Sequence, residues 1–280
     1  MISIVFGLAT ALCFAAGSLM ASRTVRIIGP MSSVAWTMAI GLLVTMPFVA
    51  LSGMPESVPA NAGWLALIGL GNVSGLLLAS SAYRFGKVGV ITPILATEGA
   101  LAAVIAALLG QSIVPIVGAL LLVIVIGIVM AAAGPDPAPL DHERPLVAVL
   151  LATGAAALFG ASLFAAGHAS SDVPISWVLL PARMVGVLVL FVPLLLTRRL
   201  QITRSTMPLV IGMAFAEVIG FTAFSIGAQY DVAVTSVLAS QFAPLSAVLA
   251  YFLFKEKLGR MQIAGVVVIL VGVTALSLVS

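Results

Sequence analysis

From Val232 the chain reads VAVTSVLASQFAPLSAVLAYFLF, then KEKLGRMQ, then IAGVVVILVGVTALSLV. Two apolar runs, each close to the ~20 residues that a helix needs to cross a bilayer, flank a short charged turn. Hydrocarbon offers no water to the backbone, so each run must satisfy its own N–H and C=O groups as a helix. The two helices therefore stand as an antiparallel hairpin. The first carries Pro244, and the second carries Gly265 and Gly272 on one face. An earlier stretch repeats the plan with VGVITPILATEGALAAVIAALL, the turn GQSIVP and IVGALLLVIVIGIVMAA. The chain reads as a duplication.

The rest of the sequence fits this hairpin. Of 280 residues 62% are hydrophobic and 8% charged, against about 25% charged in a soluble domain. Polar breaks divide the chain into ten spans, near 2–21, 32–51, 62–83, 89–109, 114–133, 146–167, 175–196, 207–229, 232–254 and 261–279. The stretch GPDPAPLDHERP is polar and proline-rich, and reads as a linker over 135–144 between halves 1–134 and 145–280. Five spans per half is an odd number, so the second half enters the membrane upside down relative to the first. The expected fold is an all-α integral membrane protein of ten transmembrane helices, built as two inverted five-helix repeats. Many secondary transporters follow that plan, with the site near the bilayer midplane where the repeats meet.

Charge placement sets the orientation. Arg23, Arg26, Arg84, Lys87, Arg144, Arg198, Arg199, Arg204, Lys255, Lys257 and Arg260 all fall in loops on one side. The other side holds Glu56, Asp172, Asp231 and both termini, with no Lys or Arg. Basic loops stay cytoplasmic. Both termini are therefore expected outside the cytoplasm, in a multi-pass protein of the plasma (bacterial inner) membrane. The net charge of +3 belongs to this bias, and no nucleic-acid partner is expected. Met1 to Ala21 lacks a basic start and reads as a retained helix, not a cleaved signal. The single cysteine, Cys13, leaves no internal disulfide or cysteine-rich metal site, and no metal or cofactor is expected.

Equivalent spans align at an offset near 145 residues, which sets Asn72 against Glu217 and Gly75 against Gly220. Gly71, Gly75 and Ala79, and Gly212, Ala216 and Gly220, form small-residue faces suited to close helix packing. Ten spans as five plus five, with Pro244, Lys255-Glu256-Lys257-Leu258, Gln262, Gly265 and Gly272-Val273 in the last hairpin, resemble the EamA-type drug/metabolite transporters. Arg183 resembles an arginine common in the seventh span of that family. The first half departs from the pattern, with Gln111 where a glutamate is usual and no arginine in span 2. The resemblance implies movement of small metabolites, amino acids among them, without an ATP-binding domain. It also implies that spans 5 and 10 lie outside the cavity ring.

Charges inside the spans are the sharpest site candidates. Glu98 lies near the middle of span 4, Glu217 near the middle of span 8, and Arg183 a third of the way into span 7. Each costs about 2.5–3.5 kcal/mol at a helix centre on insertion scales, so three unpaired would cost about 8–10 kcal/mol, comparable with a domain's net stability. They are expected to line a polar cavity. The structural alternative is an ion pair between Arg183 and one acid, which leaves the other acid to meet a substrate ammonium or a proton. Asn72, Gln241 (matched to Glu98 when Thr92 is set against Thr235) and Trp36 complete the candidate binding set, although Asn and Gln also serve ordinary helix packing. Trp64, Trp177, Tyr83 and Tyr230 sit at span ends and read as interfacial anchors.

A membrane-embedded enzyme is the competing class. Gly160-Ala161-Ser162-Leu163 approaches an intramembrane serine-protease motif, and His168 follows. Serine and histidine six residues apart on one helix cannot face each other across a site. A passive channel is the other alternative, separated from a carrier by saturation and counterflow. The expected partners are a small-molecule substrate, protons as a candidate coupling ion, and the lipid bilayer, around a monomer or weak homodimer.

Overall fold

The computed structural model describes residues 1–98, 101, 105, 115–133, 143–169, 172–230, 235, 238–239 and 241–279. Among them every regular element is helical. Ile2–Ser52 is helical throughout except at Gly29, whose φ of 77° and ψ of 162° lie outside the helical region. A positive φ favours glycine, and Pro30 behind it is suited to the first turn of a new helix. This break separates α1 (2–28) from α2 (30–52). The expected ten-residue loop is thus a one-residue corner. At 1.5 Å per residue α1 is about 40 Å long, so it carries Arg23 and Arg26 beyond the ~30 Å hydrocarbon layer while still helical.

The remaining elements are α3 (Ala62–Phe85), α4 (Val88–Leu95), α5 (Pro115–Ala133), α6 (Pro145–Ala169), α7 (Ile175–Leu196), α8 (Met207–Tyr230), α9 (Phe242–Phe254) and α10 (Arg260–Val279). Among the described residues five helical stretches are long and apolar enough to cross a membrane, the first of them being α1 and α2 together. Large apolar side chains stand exposed around the bundle, such as Leu43 at 73%, Leu122 at 67% and Phe252 at 70%. Water would not tolerate that belt, and lipid requires it. The protein is a multi-pass membrane protein. The expected linker falls outside the described residues as far as 142.

The packing is reciprocal between the halves. A Cβ added to Gly75 on α3 would sit 2.6 Å from the Phe159 ring of α6, and one added to Gly220 on α8 would sit 2.7 Å from the Phe14 ring of α1. Gly75 and Gly220 are 145 positions apart (220 − 75), as are Phe14 and Phe159 (159 − 14). The same exchange recurs at Gly127 against Ile269 and Gly272 against Ile124, at 2.8 and 2.7 Å, which joins α5 to α10. It recurs again at Gly41 against Arg183 and Gly186 against Met38, which joins α2 to α7. Contacts in which i meets j while the copy of j meets the copy of i are the mark of a two-fold relation. Small residues at these positions let the helix backbones close up, as expected from their spacing.

Helix α4 occupies the interior. Each of its residues from Val88 to Leu95 is buried, between α9 on one flank and α6 on the other. Thr92 donates its hydroxyl to Val88 O at 2.8 Å and lies 3.5 Å from Ala243 O of α9. Helices α5 and α10 pack mainly on each other and meet the rest through α4 and α6.

Candidate functional site

Arg183 stands on α7 two residues beyond Pro181 and four before a π-helical turn at Val187–Phe191. Proline removes a backbone donor from the ladder, and a π turn adds a residue to the helix; both locally re-aim side chains. The arginine is 1% exposed, and its Nη1 donates to Glu217 Oε1 of α8 at 2.8 Å. That is a charge-assisted hydrogen bond at full strength. Its flank rests on α2, where a Cβ at Gly41 would lie 2.9 Å from Nε and 3.0 Å from Cδ. Gly41 makes room for the guanidinium, and Nε has no hydrogen-bond partner among the described residues.

Met38 occupies the position matching Arg183 and touches it, with Sδ 3.6 Å from Nη1. Asn72 occupies the position matching Glu217, and its buried Oδ1 has no partner among the described residues. The ion pair of the second half is thus answered in the first by an apolar and a neutral residue. The Glu217 side chain is 20% exposed, while that of the arginine paired with it is sealed at 1%.

Glu98 follows the end of α4 and is half-buried. It has neither an ion pair nor a hydrogen bond among the described residues. Arg183 therefore pairs with Glu217, and Glu98 is the acid left over. Nearby, the Tyr83 hydroxyl of α3 lies within electrostatic reach of Glu98 and close to Ser18 of α1. The terminal position of Tyr83 read as an interfacial anchor; the structure buries it, at 4% exposure. Its burial follows from α1, whose extension past residue 21 covers the end of α3.

The remaining candidates fall elsewhere. Gln241 precedes the first residue of α9, and its carbonyl accepts from Leu245 N at 3.2 Å. Trp36 donates its indole N–H to Gln201 O at 3.1 Å and meets the Phe191 ring edge-on at 5.1 Å. It ties α2 to α7 and to the basic loop behind α7. Trp177 donates to Gly53 O at 2.7 Å, and Trp64 stacks on His168 at 4.7 Å, both at helix ends as expected of anchors. The Ser162 hydroxyl donates to Ile68 O at 2.8 Å across α6 and α3, a packing bond. His168 packs against Trp64 and Phe164, and its Nδ1 lies 3.0 Å from Phe164 O of its own helix.

Comparison with protein families decides the affiliation. The profile of the EamA-like transporter family matches residues 1–133 and again 146–278, one copy per half. The chain belongs to the EamA-like transporter family. Its two matched copies leave only 134–145 and the last two residues uncovered. Comparison with curated proteins gives no match. Among solved structures 15 chains match. One, titled "Crystal structure of protein", superposes with a TM-score of 0.64 at 18% identity, over 99% of this chain and 96% of its own. At that identity the likeness is one of fold. As a member of a transporter family, this EamA-like protein is a membrane transporter of small molecules.

The last-hairpin residues that resembled the family have structural roles here. Glu256 accepts from the N–H groups of Val88 and Gly89, at 3.3 and 3.2 Å, and so caps α4. Gln262 Oε1 accepts from Gly259 N at 2.9 Å and caps α10. Leu258 covers Gly89, and Gly265 brings the α10 backbone against that of α5. Gly41 and Met38 were not singled out in the sequence, although the 145-residue offset to Gly186 and Arg183 was signal enough to find them.

Proposed function

We propose that the protein is a secondary transporter that moves small metabolites, amino acids foremost, out of the cell by alternating access at a midplane cavity. In this reading the chain crosses the membrane ten times, in halves 1–134 and 145–280 joined by the 135–144 linker, with the second half inverted. Both termini lie outside the cytoplasm. The reciprocal contacts between the halves support it, because a two-fold relation lets two conformations interchange the roles of the repeats.

The observation that carries the reading is the division of the intramembrane charges. The Arg183–Glu217 pair is neutral as a unit and anchors α7 to α8. Among the described residues Glu98 is the intramembrane acid without a counter-charge, just past a helix buried from Val88 to Leu95. A carboxylate inside the membrane without a partner is costly, and a cargo ammonium or a proton offsets that cost on binding. Glu98 then takes the amine or the proton, and Glu217, held by Arg183 and partly exposed, meets the same cargo. Asn72 and Gln241 serve as neutral hydrogen-bonding groups of the two repeats.

Reconstitution in liposomes followed by an amino-acid counterflow screen tests the proposal. Saturable uptake, accelerated by unlabelled substrate on the far side and sharply reduced or stripped of its pH dependence in Glu98→Gln, is the expected result. Flux that grows linearly with concentration and shows no counterflow would instead make the protein a channel.

A further inference from the structure

Three charged residues that play no part in the intramembrane site converge on one end of the bundle. Glu256, in the α9–α10 turn of the second repeat, is 4% exposed, and its carboxylate accepts the first N–H groups of α4 in the first repeat. Lys87, at the start of α4, is 1% exposed and returns the contact, donating Nζ to Lys257 O at 2.7 Å. Arg26, at the end of α1, donates to Tyr83 O at 3.3 Å and Gly86 O at 3.0 Å, and its Nη2 lies 3.7 Å from Glu256 Oε1. The α1 end, the α3–α4 turn and the α9–α10 turn are thereby tied across the boundary between the halves. Leu258 seals the junction over Gly89. The first N–H groups of a helix have no partner within it, so separating the two turns would strand those of α4.

In the sequence, the matched positions at the opposite end do not repeat this acid and these two bases. The position matching Glu256 is Gln111, Arg26 falls opposite Ser170-Ser171, and Lys87 falls opposite the run Gln229-Tyr230-Asp231-Val232. If the halves were identical in sequence, the states open to either side would be equal in energy, because the two-fold would convert one into the other. Differences between matched residues break that equality, and these three charges lie where the two halves meet.

We propose that Arg26, Lys87 and Glu256 form a one-sided latch that holds the basic-loop end of the transporter shut and biases it toward the state open at the other end. The latch rests on the carrier reading given above. It opens once per cycle, so its hold must be modest. Burial pushes the Glu256 carboxyl above its ordinary range while the Gly89 and Val88 amides, Arg26 and Lys87 pull it back, a balance of opposed effects and not a permanent staple. Ala148, which shares a small pocket with Lys87 and Gln262 directly beside the latch, is 2% exposed and reports on its opening. Ala165, fully buried in a separate cluster toward the other end, is the control.

The test uses full-length protein in detergent with Cys13 replaced by alanine, and a single reporter thiol from Ala148→Cys or Ala165→Cys. The rate of maleimide modification is measured with and without Glu256→Ala. The latch predicts about ten-fold faster modification at 148 and no change at 165. An unchanged rate at 148 overturns it. A parallel rise at both positions also overturns it, since that result marks Glu256 as a general support of the fold. Arg26→Gln keeps both amide caps and is expected to give a smaller rise confined to 148. It decides the question alone should Glu256→Ala not fold, with no rise counting against the latch. Labelling needs no transport, so failure of the latch is distinguishable from failure of counterflow.

Discussion

The Arg183–Glu217 pair invites a double-mutant cycle in which the protein supplies its own design. In the first half the matched residues are Met38 and Asn72, so Arg183→Met with Glu217→Asn makes the second half resemble the first. The single substitutions should be unequal. Glu217→Asn strands a guanidinium that is 1% exposed and whose Nε already lacks a partner, with Gly41 packed against its flank. Removing one partner of a buried pair costs about 3–5 kcal/mol, and this site has no slack to lower that figure. Arg183→Met leaves a carboxylate that is 20% exposed and able to draw in water, so its cost should be smaller, about 1–3 kcal/mol. The double variant removes both charges, and replacing a buried pair by neutral residues is often close to neutral. The coupling between the two sites, the sum of the single costs less that of the double, should therefore be about 4–8 kcal/mol, read from equilibrium unfolding in detergent. Additive effects, or a Glu217→Asn variant as stable as wild type, would refute the claim that the pair is a coupled structural unit.

Other consequences are independent of that pair. Glu98→Gln should leave the melting temperature within a degree or two of wild type, because it breaks no ion pair, while flux or its pH dependence falls sharply; normal flux would remove Glu98 from the site. Alanine substitutions at the α5–α10 contact should rank by what the new methyl meets. At Gly127 it would lie 2.9 Å from Gly265 O and Ile269 N, both backbone, whereas at Gly272 the close atom is the Ile124 side chain. Overpacking costs about 1–3 kcal/mol, and Gly127→Ala should fall at the upper end with Gly272→Ala below it, as thermal melts would show. A reporter active only in the cytoplasm, fused after Ser280, should be silent; a bright fusion would reverse the orientation read from the basic loops.

Much of this architecture was legible in the chain because hydrocarbon leaves the backbone few options. Apolar runs had to be helices, and the duplication visible in the last hairpin and its earlier copy agrees with the family's match to each half. The close packing at Gly75, Gly220, Gly265 and Gly272 was visible as small residues on helix faces. The site was legible only in part. Cost alone marked Arg183, Glu98 and Glu217, but sequence could not say which acid took the arginine, since pairing depends on how α7, α8 and α4 are set in space. Trp36 carried no sign that its indole would reach Gln201, 165 positions on. Tyr83 was misread because span ends were set by hydropathy. Helix α1 runs on to residue 28 through polar residues that hydropathy scores as a loop, and that extension covers the tyrosine. Glu256 belonged to the recognised hairpin, yet only the fold shows that its partner is the helix start of the other repeat.

The central claim is that Glu98 is the uncompensated acid of a carrier. Its most direct test is counterflow in liposomes at several pH values, wild type beside Glu98→Gln, with amino acids bearing a free ammonium and their N-acetylated forms as competitors. The account predicts saturable counterflow that the free amines inhibit and the acetylated forms do not, with its pH dependence abolished in Glu98→Gln. Counterflow that persists unchanged in Glu98→Gln, at every pH and with either competitor, would contradict it.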